Sequence, residues 1–403
     1  MLADYLAFAR SHPRPLAFGF LLAMLSSFGQ TFFVALSGAG MLAEFGITDG
    51  ALGAAYAAAT LASGFALGWV GRWIDRVPLR RYAAVSALVL ALGCLGMALV
   101  PVSWALVGAF FLLRIGGQGL LTHTAMTATA RRFGSERGRA LALVALGFAA
   151  GEAILPPLAV WAAPVLGWRG LWWAAAGLVL LGGWAALRLL PAASGVPSGQ
   201  APQMPSRPAA RAPSVYRDIR LWWVLPAVLA PSFVVTGFFF HQLRLAAELG
   251  WDLAVVAGAF AGFALVRAAA TLRSGQVIDR IGAARLLPLF LLPLAAAMLA
   301  IMLGTGSPVA AVAYLLATGL TSGIATTLTT ALWAEFYGPE RLGAVRAAVA
   351  GAGIIASALA PAAFGLLLDA GVTLRWQAAG CLVWLLGASA LMLPLAWRAR
   401  REP

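Results

Sequence analysis

The sequence predicts an all-α integral membrane protein with twelve transmembrane helices in two parallel six-helix bundles. Three observations carry that expectation. Hydrophobic residues fill 62% of the 403 positions and charged residues only 10%, where a soluble domain carries about 25% charge, and mean hydropathy is +0.89. The apolar residues gather in runs of about twenty, the length a helix needs to cross a hydrocarbon core of about 30 Å. Finally, the second half of the chain repeats charged and glycine positions of the first at an offset of 204 residues.

Taken in order, the spans are expected near 15–43, 51–71, 82–100, 103–130, 140–164 and 171–190, then 221–243, 253–273, 286–304, 309–334, 346–368 and 376–396. Arg10 and Arg14 precede the first run as in a signal peptide, but the run that follows is too long for a cleaved segment. All 28 basic residues are arginine, and 23 of them fall in the termini and in loops that this count places on one side. Arg169, Arg244 and Arg375 fall on the other side, and Arg114 and Arg267 lie inside helices. Positive charge resists translocation, so both termini are expected in the cytoplasm. The formal charge of +14 is read as topology signal and contact with anionic lipid rather than as a nucleic-acid surface, because the arginines form no basic domain. Between the sixth and seventh spans, residues 191–220 are rich in Pro, Ser and Gly and cannot bury a core, so they are expected to tether an N-terminal bundle, 1–190, to a C-terminal bundle, 221–403.

The repeat is clearest in two loops. Gly71 to Arg81 reads GRWIDRVPLRR, and Ser274 to Arg285 reads SGQVIDRIGAAR, with Gly71 over Gly275, Asp75 over Asp279 and Arg76 over Arg280. Each is expected to be a tight cytoplasmic turn, its aspartate accepting backbone amides at a helix start. At the same offset Glu44 meets Glu248, Gly46 meets Gly250, Gly119 meets Gly323, and the FGSER of Phe133–Arg137 meets the YGPER of Tyr337–Arg341. Each half holds an even number of spans, so the copies lie parallel, related by an axis along the membrane normal.

The Asp-Arg loop and its degenerate copy resemble the loop between the second and third helices of the major facilitator superfamily. Pro78 departs from the glycine usual there, which the second copy keeps as Gly282. RIGGQG at Arg114–Gly119 is similar to that family's fourth-helix signature, and GWRGLWW at Gly167–Trp173 to its turn into the sixth helix. GFAAGEAILPP at Gly147–Pro157 resembles the proton-driven exporters' signature only loosely, with Gly151-Glu152 in place of Gly-Pro. The resemblance spans residues 15–396 and implies a secondary transporter. Arginines inside helices make the outline somewhat similar to the monocarboxylate and oxalate/formate porters.

In such a fold the solute is expected near mid-membrane, where the halves face one another. Ionisable groups there cost roughly 2.5–3.5 kcal/mol each on insertion scales and seldom persist without a task. Arg114, Glu152 and Arg267 are the three found at that depth. Arg114, Gln118 and Thr122 share one helix face, and the repeat turns that stripe into Thr318, Ser322 and Thr326. Both stripes are expected to line a cavity, with Gln30, Thr236 and His241 added from the first and seventh helices. Back-bonding of each hydroxyl within its own helix is the alternative. Glu152 is expected to pair with Arg114. Arg267, which has only Ser63 opposite it in the first copy, is expected to hold a carboxylate or similar anion, alone or with Arg114. Arg114 as a structural residue is the other reading.

Proton coupling needs a group that changes protonation, and Glu152, His123 and His241 are the candidates; His123, off the Arg114 stripe, also reads as a packing residue. Glu136 with Arg137, and Glu340 with Arg341, stand beside the two Asp-Arg loops and are candidate ion-pair latches, with a solvated loop as the alternative. Cys94 and Cys381 have no disulfide or metal spacing, and no cofactor or metal site is expected. No phosphate-cradling loop or nucleophile-base set points to an enzyme. The expected protein is a monomeric transporter of a small organic solute, probing for partners only lipid, solute and protons. Its solute is an anion by preference or, on the exporter reading, an amphipath; a receptor is a third class. Arginine without lysine and abundant alanine point to a GC-rich bacterium and its inner membrane.

Overall fold

The computed structural model describes residues 2–190 and 218–398. Residues 191–217, which hold most of the expected tether, lie outside the described residues. Every regular element among the described residues is helical, as lipid demands of a chain that cannot leave backbone groups unpaired. The first half runs α1 (Leu2–Ser11), α2 (Pro13–Gly29), α3 (Thr31–Phe45), α4 (Asp49–Val70), α5 (Leu79–Leu99), α6 (106–133), α7 (137–166) and α8 (168–189). The second runs α9 (Ile219–Phe240), α10 (Gln242–Leu249), α11 (Leu253–Ile281), α12 (Leu292–Leu303), α13 (Pro308–Gly338), α14 (Arg341–Asp369), α15 (Leu374–Leu391) and α16 (Leu393–Arg398).

Helical backbone is nearly continuous over the 87 residues Ser103–Leu189, which at 1.5 Å per residue would reach about 130 Å, several times a membrane's core. Gly134 (φ 46°) and Gly167 (φ 65°) break it into three passes. With α2 and α3 taken as one bent pass and the short α12 included, twelve passes result among the described residues. Large apolar side chains point outward along them, among them Trp161 (80% exposed), Val165 (87%), Trp376 (72%) and Val383 (73%). Such a surface is unsustainable in water and suits lipid.

The duplication is written in the backbone. Among the described residues eight glycines have positive φ, and six of them form three pairs at the 204-residue offset: Gly46 with Gly250 (60° and 64°), Gly134 with Gly338 (46° and 66°), and Gly167 with Gly371 (65° and 83°). Left-handed backbone disfavours any residue with a Cβ, so each pair marks a turn that both copies make. The unmatched Gly282 (φ 84°) faces Pro78, which takes φ −53° instead.

Several boundaries differ from expectation. The first pass breaks at Gln30 (φ −86°, ψ 152°), and α2 and α3 meet at a 46° bend. An additional helix, α1, precedes it. The second Asp-Arg loop is no turn at Gly275: α11 stays helical through Asp279 and Arg280 to Ile281 and turns only at Gly282. In the first copy the chain leaves α4 at Gly71 as a tight 3-10 turn ending at Asp75. Glycine at 282 against proline at 78 displaces the turn, since only glycine accepts its φ.

The chain forms two compact units. The first takes residues up to 47 and 58–190, and the second takes 48–57 and residues from 218 on. The first nine residues of α4, Asp49 to Ala57, therefore pack with the second half of the sequence. Inside the first unit, small residues let helices touch backbone to backbone, as in membrane bundles generally: a Cβ at Gly117 would stand 2.7 Å from Gly29 Cα, and one at Gly116 2.7 Å from the Leu90 amide. Inside the second, a Cβ at Gly319 would stand 2.7 Å from the Phe263 carbonyl, and one at Gly237 2.7 Å from the Phe364 ring.

Candidate functional site

In the first unit the candidate residues converge on the break at Gln30. A helix that ends leaves its last carbonyls without intrahelical partners, and Arg114, only 2% exposed, donates from Nη1 to the Gly29 carbonyl at 3.1 Å. Arg114 opens a π-helical stretch, Arg114–Leu121, inside α6. Single π turns of this kind occur frequently at functional sites. The stretch is buried except at Gln118, which is exposed. Thr122, half-buried, donates to the Gly117 carbonyl at 3.2 Å. From the other side α7 approaches the break through Gly151, against Ser27, and the next residue is the buried Glu152. Gln30 itself is half-buried.

His123 lies elsewhere. Its Nε2 is 3.2 Å from the Gly71 carbonyl and its Nδ1 3.4 Å from Thr127 Oγ1. A carbonyl only accepts, so Nε2 carries the hydrogen, and the ring ties α6 to the turn that ends α4.

That turn is anchored by a residue outside the expected set. Arg131, at the end of α6, pairs with Asp75 and reaches the Ile74 carbonyl at 3.4 Å. Its position in the repeat is occupied by Glu335, whose two oxygens accept from the amides of Ala283 (2.6 Å) and Ala284 (3.1 Å). Both copies thus fasten the loop from the same helical position with opposite charges, because the first loop offers a carboxylate and a carbonyl and the second offers amides at a helix start. Glu136 pairs with Arg139 at 2.7 Å within its own turn, while Arg137, Arg76, Asp279, Arg280 and Arg341 are exposed and Gly275 sits inside α11. The side chain of Glu340 lies outside the described residues. Charged positions at one offset were the available signal for Arg131 and Glu335; comparing identities alone passes over a pair of opposite sign.

The matched glutamates do share a task. Glu44 takes Arg169 Nη2 at 2.6 Å and Trp168 Nε1 at 2.9 Å, and Glu248 accepts the amides of Leu374 and Arg375, both at 2.9 Å. Each holds the turn into the last helix of its half.

In the second unit Thr318 is fully buried and donates to the Tyr314 carbonyl at 2.7 Å. Ser322 donates to Thr318 O at 2.8 Å and the exposed Thr326 to Ser322 O at 3.0 Å. These hydroxyls satisfy themselves along α13, and exposure rises down the stripe from Thr318 to Thr326. Arg267 is half-buried on α11, its guanidinium 5.7 Å from the centre of the Phe263 ring. Its backbone is pinned: Thr271 Oγ1 lies 2.9 Å from Arg267 O and 3.2 Å from Gly323 O. Thr236 is half-buried on α9. His241, 3% exposed between α9 and α10, has Nε2 3.0 Å from the Pro361 carbonyl and Nδ1 3.5 Å from Asp49 Oδ1. Asp49 and Asp369, acids at helix ends, had no signal in the sequence beyond their charge. A groove of about 370 Å³ bordered by Arg244, Glu248 and Thr373 lies at the α10 end of this unit; none of the expected solute residues lines it.

Comparison with known proteins follows the same lines. A sequence profile described as the Major Facilitator Superfamily matches residues 17–243 and again 227–403. The chain is similar to a bacterial homolog of the human lysosomal transporter Spinster in an inward-facing, unoccupied conformation, with TM-score 0.70 and 14% identity over 96% of this chain and 97% of that one. It is also similar to the nucleoside transporter NupG, with TM-score 0.65 and 13% identity over 97% and 99%. At such identities the likeness shows the fold. Among curated proteins none matches. Twelve apolar passes, two backbone copies and a profile that fits each half in turn have one reading: the chain belongs to the Major Facilitator Superfamily and is a membrane transporter, not an enzyme.

Proposed function

We propose that this transporter is secondary active, moving a small organic anion, a carboxylate by preference, by alternating access with proton coupling. Arg267 carries the reading. A cation inside an apolar helix costs roughly 2.5–3.5 kcal/mol on insertion scales, and the equivalent place in the first half is the uncharged Ser63, which supports a task peculiar to Arg267. The guanidinium is only half-buried, and its planar fork suits two carboxylate oxygens. Gln30, Gln118 and Thr122 among the N-terminal helices, and Thr236, Ser322 and Thr326 among the C-terminal ones, are the further polar candidates for contact with the solute, with Arg114 beside the first group. The N-terminal bundle is taken as 1–190 and the C-terminal bundle as 221–403, with the Asp75 turn and the Asp279 end of α11 as the gating segments. The protein works as a monomer in a bacterial inner membrane, termini in the cytoplasm.

Thermal stability of the purified protein against small carboxylates, amines and sugars tests this. A carboxylate raises the melting temperature of the wild type and fails to raise that of Arg267→Ala. A response confined to amines, or one that survives in Arg267→Ala, rejects the anion. One observation favours a second reading: Glu152 is a buried carboxylate in the middle of α7, the kind of group that meets a cationic amphipath in a proton-driven exporter. Drug resistance of expressing cells, lost in Glu152→Gln, would decide for it.

A further inference from the structure

Within the second unit, the start of α4 is fastened to α9 and α14 by a set of contacts centred on His241. Gly50 donates its amide to Asp369 Oδ2 at 3.0 Å, so a residue at the end of α14 caps α4. The backbones touch: a Cβ at Gly365 would stand 2.8 Å from Gly50 Cα, and one at Gly53 2.9 Å from Ala362 Cα. The Tyr56 and Phe240 rings pack at 4.7 Å, tilted by 45°, and His241 lies parallel to Phe364. Between these contacts sits His241, with Pro361 O on one ring nitrogen and Asp49 on the other.

Hydrogen bonding fixes the proton count. Pro361 O can only accept, so Nε2 carries a hydrogen. If the ring held no other, Nδ1 would aim a lone pair at a carboxylate oxygen 3.5 Å away, which repels. We propose that His241 and Asp49 form a proton-binding site, with the proton on Nδ1, that latches the first turns of α4 to α9 and α14. The groups facing it agree. From α4 comes Asp49, from α14 the Pro361 carbonyl, the Phe364 ring and, through Gly50, Asp369, and α9 brings no charge; on α10 the nearest cation, Arg244, is exposed and Glu248 is engaged by the amides of Leu374 and Arg375. Access is asymmetric: the His241 side chain is 3% exposed and that of Asp49 15%, so the proton enters past Asp49, at the end of α4 away from the Asp75 loop. The sign follows. The latch holds with the proton bound and loosens as pH rises and Nδ1 loses it.

This inference builds on the proton coupling proposed above, but its test reads protonation directly and stands even if the solute is not proton-coupled. The chain has three histidines, so the 15N-histidine spectrum of the protein in lipid nanodiscs is simple, and His241→Gln identifies the relevant signal. At pH 6 the wild type should show hydrogen on both nitrogens of His241, and Asp49→Asn should leave Nε2 protonated and Nδ1 bare. A singly protonated His241 in the wild type, or the same state in both proteins, overturns the proposal. A second measurement guards against variants that fold poorly. Leu52, 2% exposed, becomes a reporter as Leu52→Cys in a background lacking Cys94 and Cys381, with the exposed Ala51→Cys correcting for thiol chemistry. Relative alkylation should rise from pH 6 to pH 8 and should not vary with pH when His241→Gln is added. A ratio that is flat in the presence of His241 contradicts the latch.

Discussion

Arg114 holds a broken helix together, and its loss should be felt in stability before transport is considered. Removing it leaves the Gly29 carbonyl buried without that donor, a penalty of roughly 1–3 kcal/mol. Arg114→Ala should therefore melt lower than the wild type in detergent. Gly117→Val tests the same contact sterically, because its side chain would enter the Gly29 backbone; overpacking of this kind costs about 1–3 kcal/mol. Equal melting of Gly117→Val and wild type would mean that the two helices do not touch there. Both arginines were legible in the sequence, since charge inside an apolar run announces itself. The 46° bend that gives Arg114 its carbonyl was not. Gln30 is an ordinary helix residue by propensity, and the bend answers to glycines on α6 that are neighbours only after folding.

At the scale of elements, the two Asp-Arg loops show what a duplication preserves. Position and helical face persist while the bonding chemistry is exchanged, Arg131 to a carboxylate in one copy and Glu335 to helix-start amides in the other. The Arg131–Asp75 pair is largely exposed, with side chains 45% and 59% accessible, and such pairs contribute about 0–1 kcal/mol. Glu335 also meets the dipole of a helix start. Glu335→Gln should consequently lower the melting temperature more than Arg131→Ala, by about 1 kcal/mol. The opposite order in a thermal melt would put the weight on the charged pair. Reading the sequence as two similar turns missed this because matching Gly-Asp-Arg letters says nothing about φ, and Gly282 against Pro78 decides where each turn falls. The pairs of left-handed glycines, by contrast, could be aligned from the start. Gly167→Ala and Gly371→Ala should each destabilise by about 1–2 kcal/mol through strain at positive φ, and equal effects would be the energetic signature of the repeat.

For the whole molecule, the length of the apolar runs and the arginine bias made the membrane class and the pass number readable, because both are set by the bilayer rather than by distant contacts, and charged and glycine positions repeating at an offset of 204 residues made the duplication readable. The placement of Asp49 with the second unit was not readable, since a helix shared between two packing units leaves no mark in composition. The functional account rests on Arg267, a half-buried cation within α11 whose repeat position holds Ser63. Its most direct test is uptake of labelled small carboxylates into proteoliposomes under an inward proton gradient, with wild type and Arg267→Ala side by side. The account predicts accumulation of at least one carboxylate by the wild type, collapse of that accumulation on adding a protonophore, and none in Arg267→Ala despite normal reconstitution. Undiminished uptake by Arg267→Ala would contradict it.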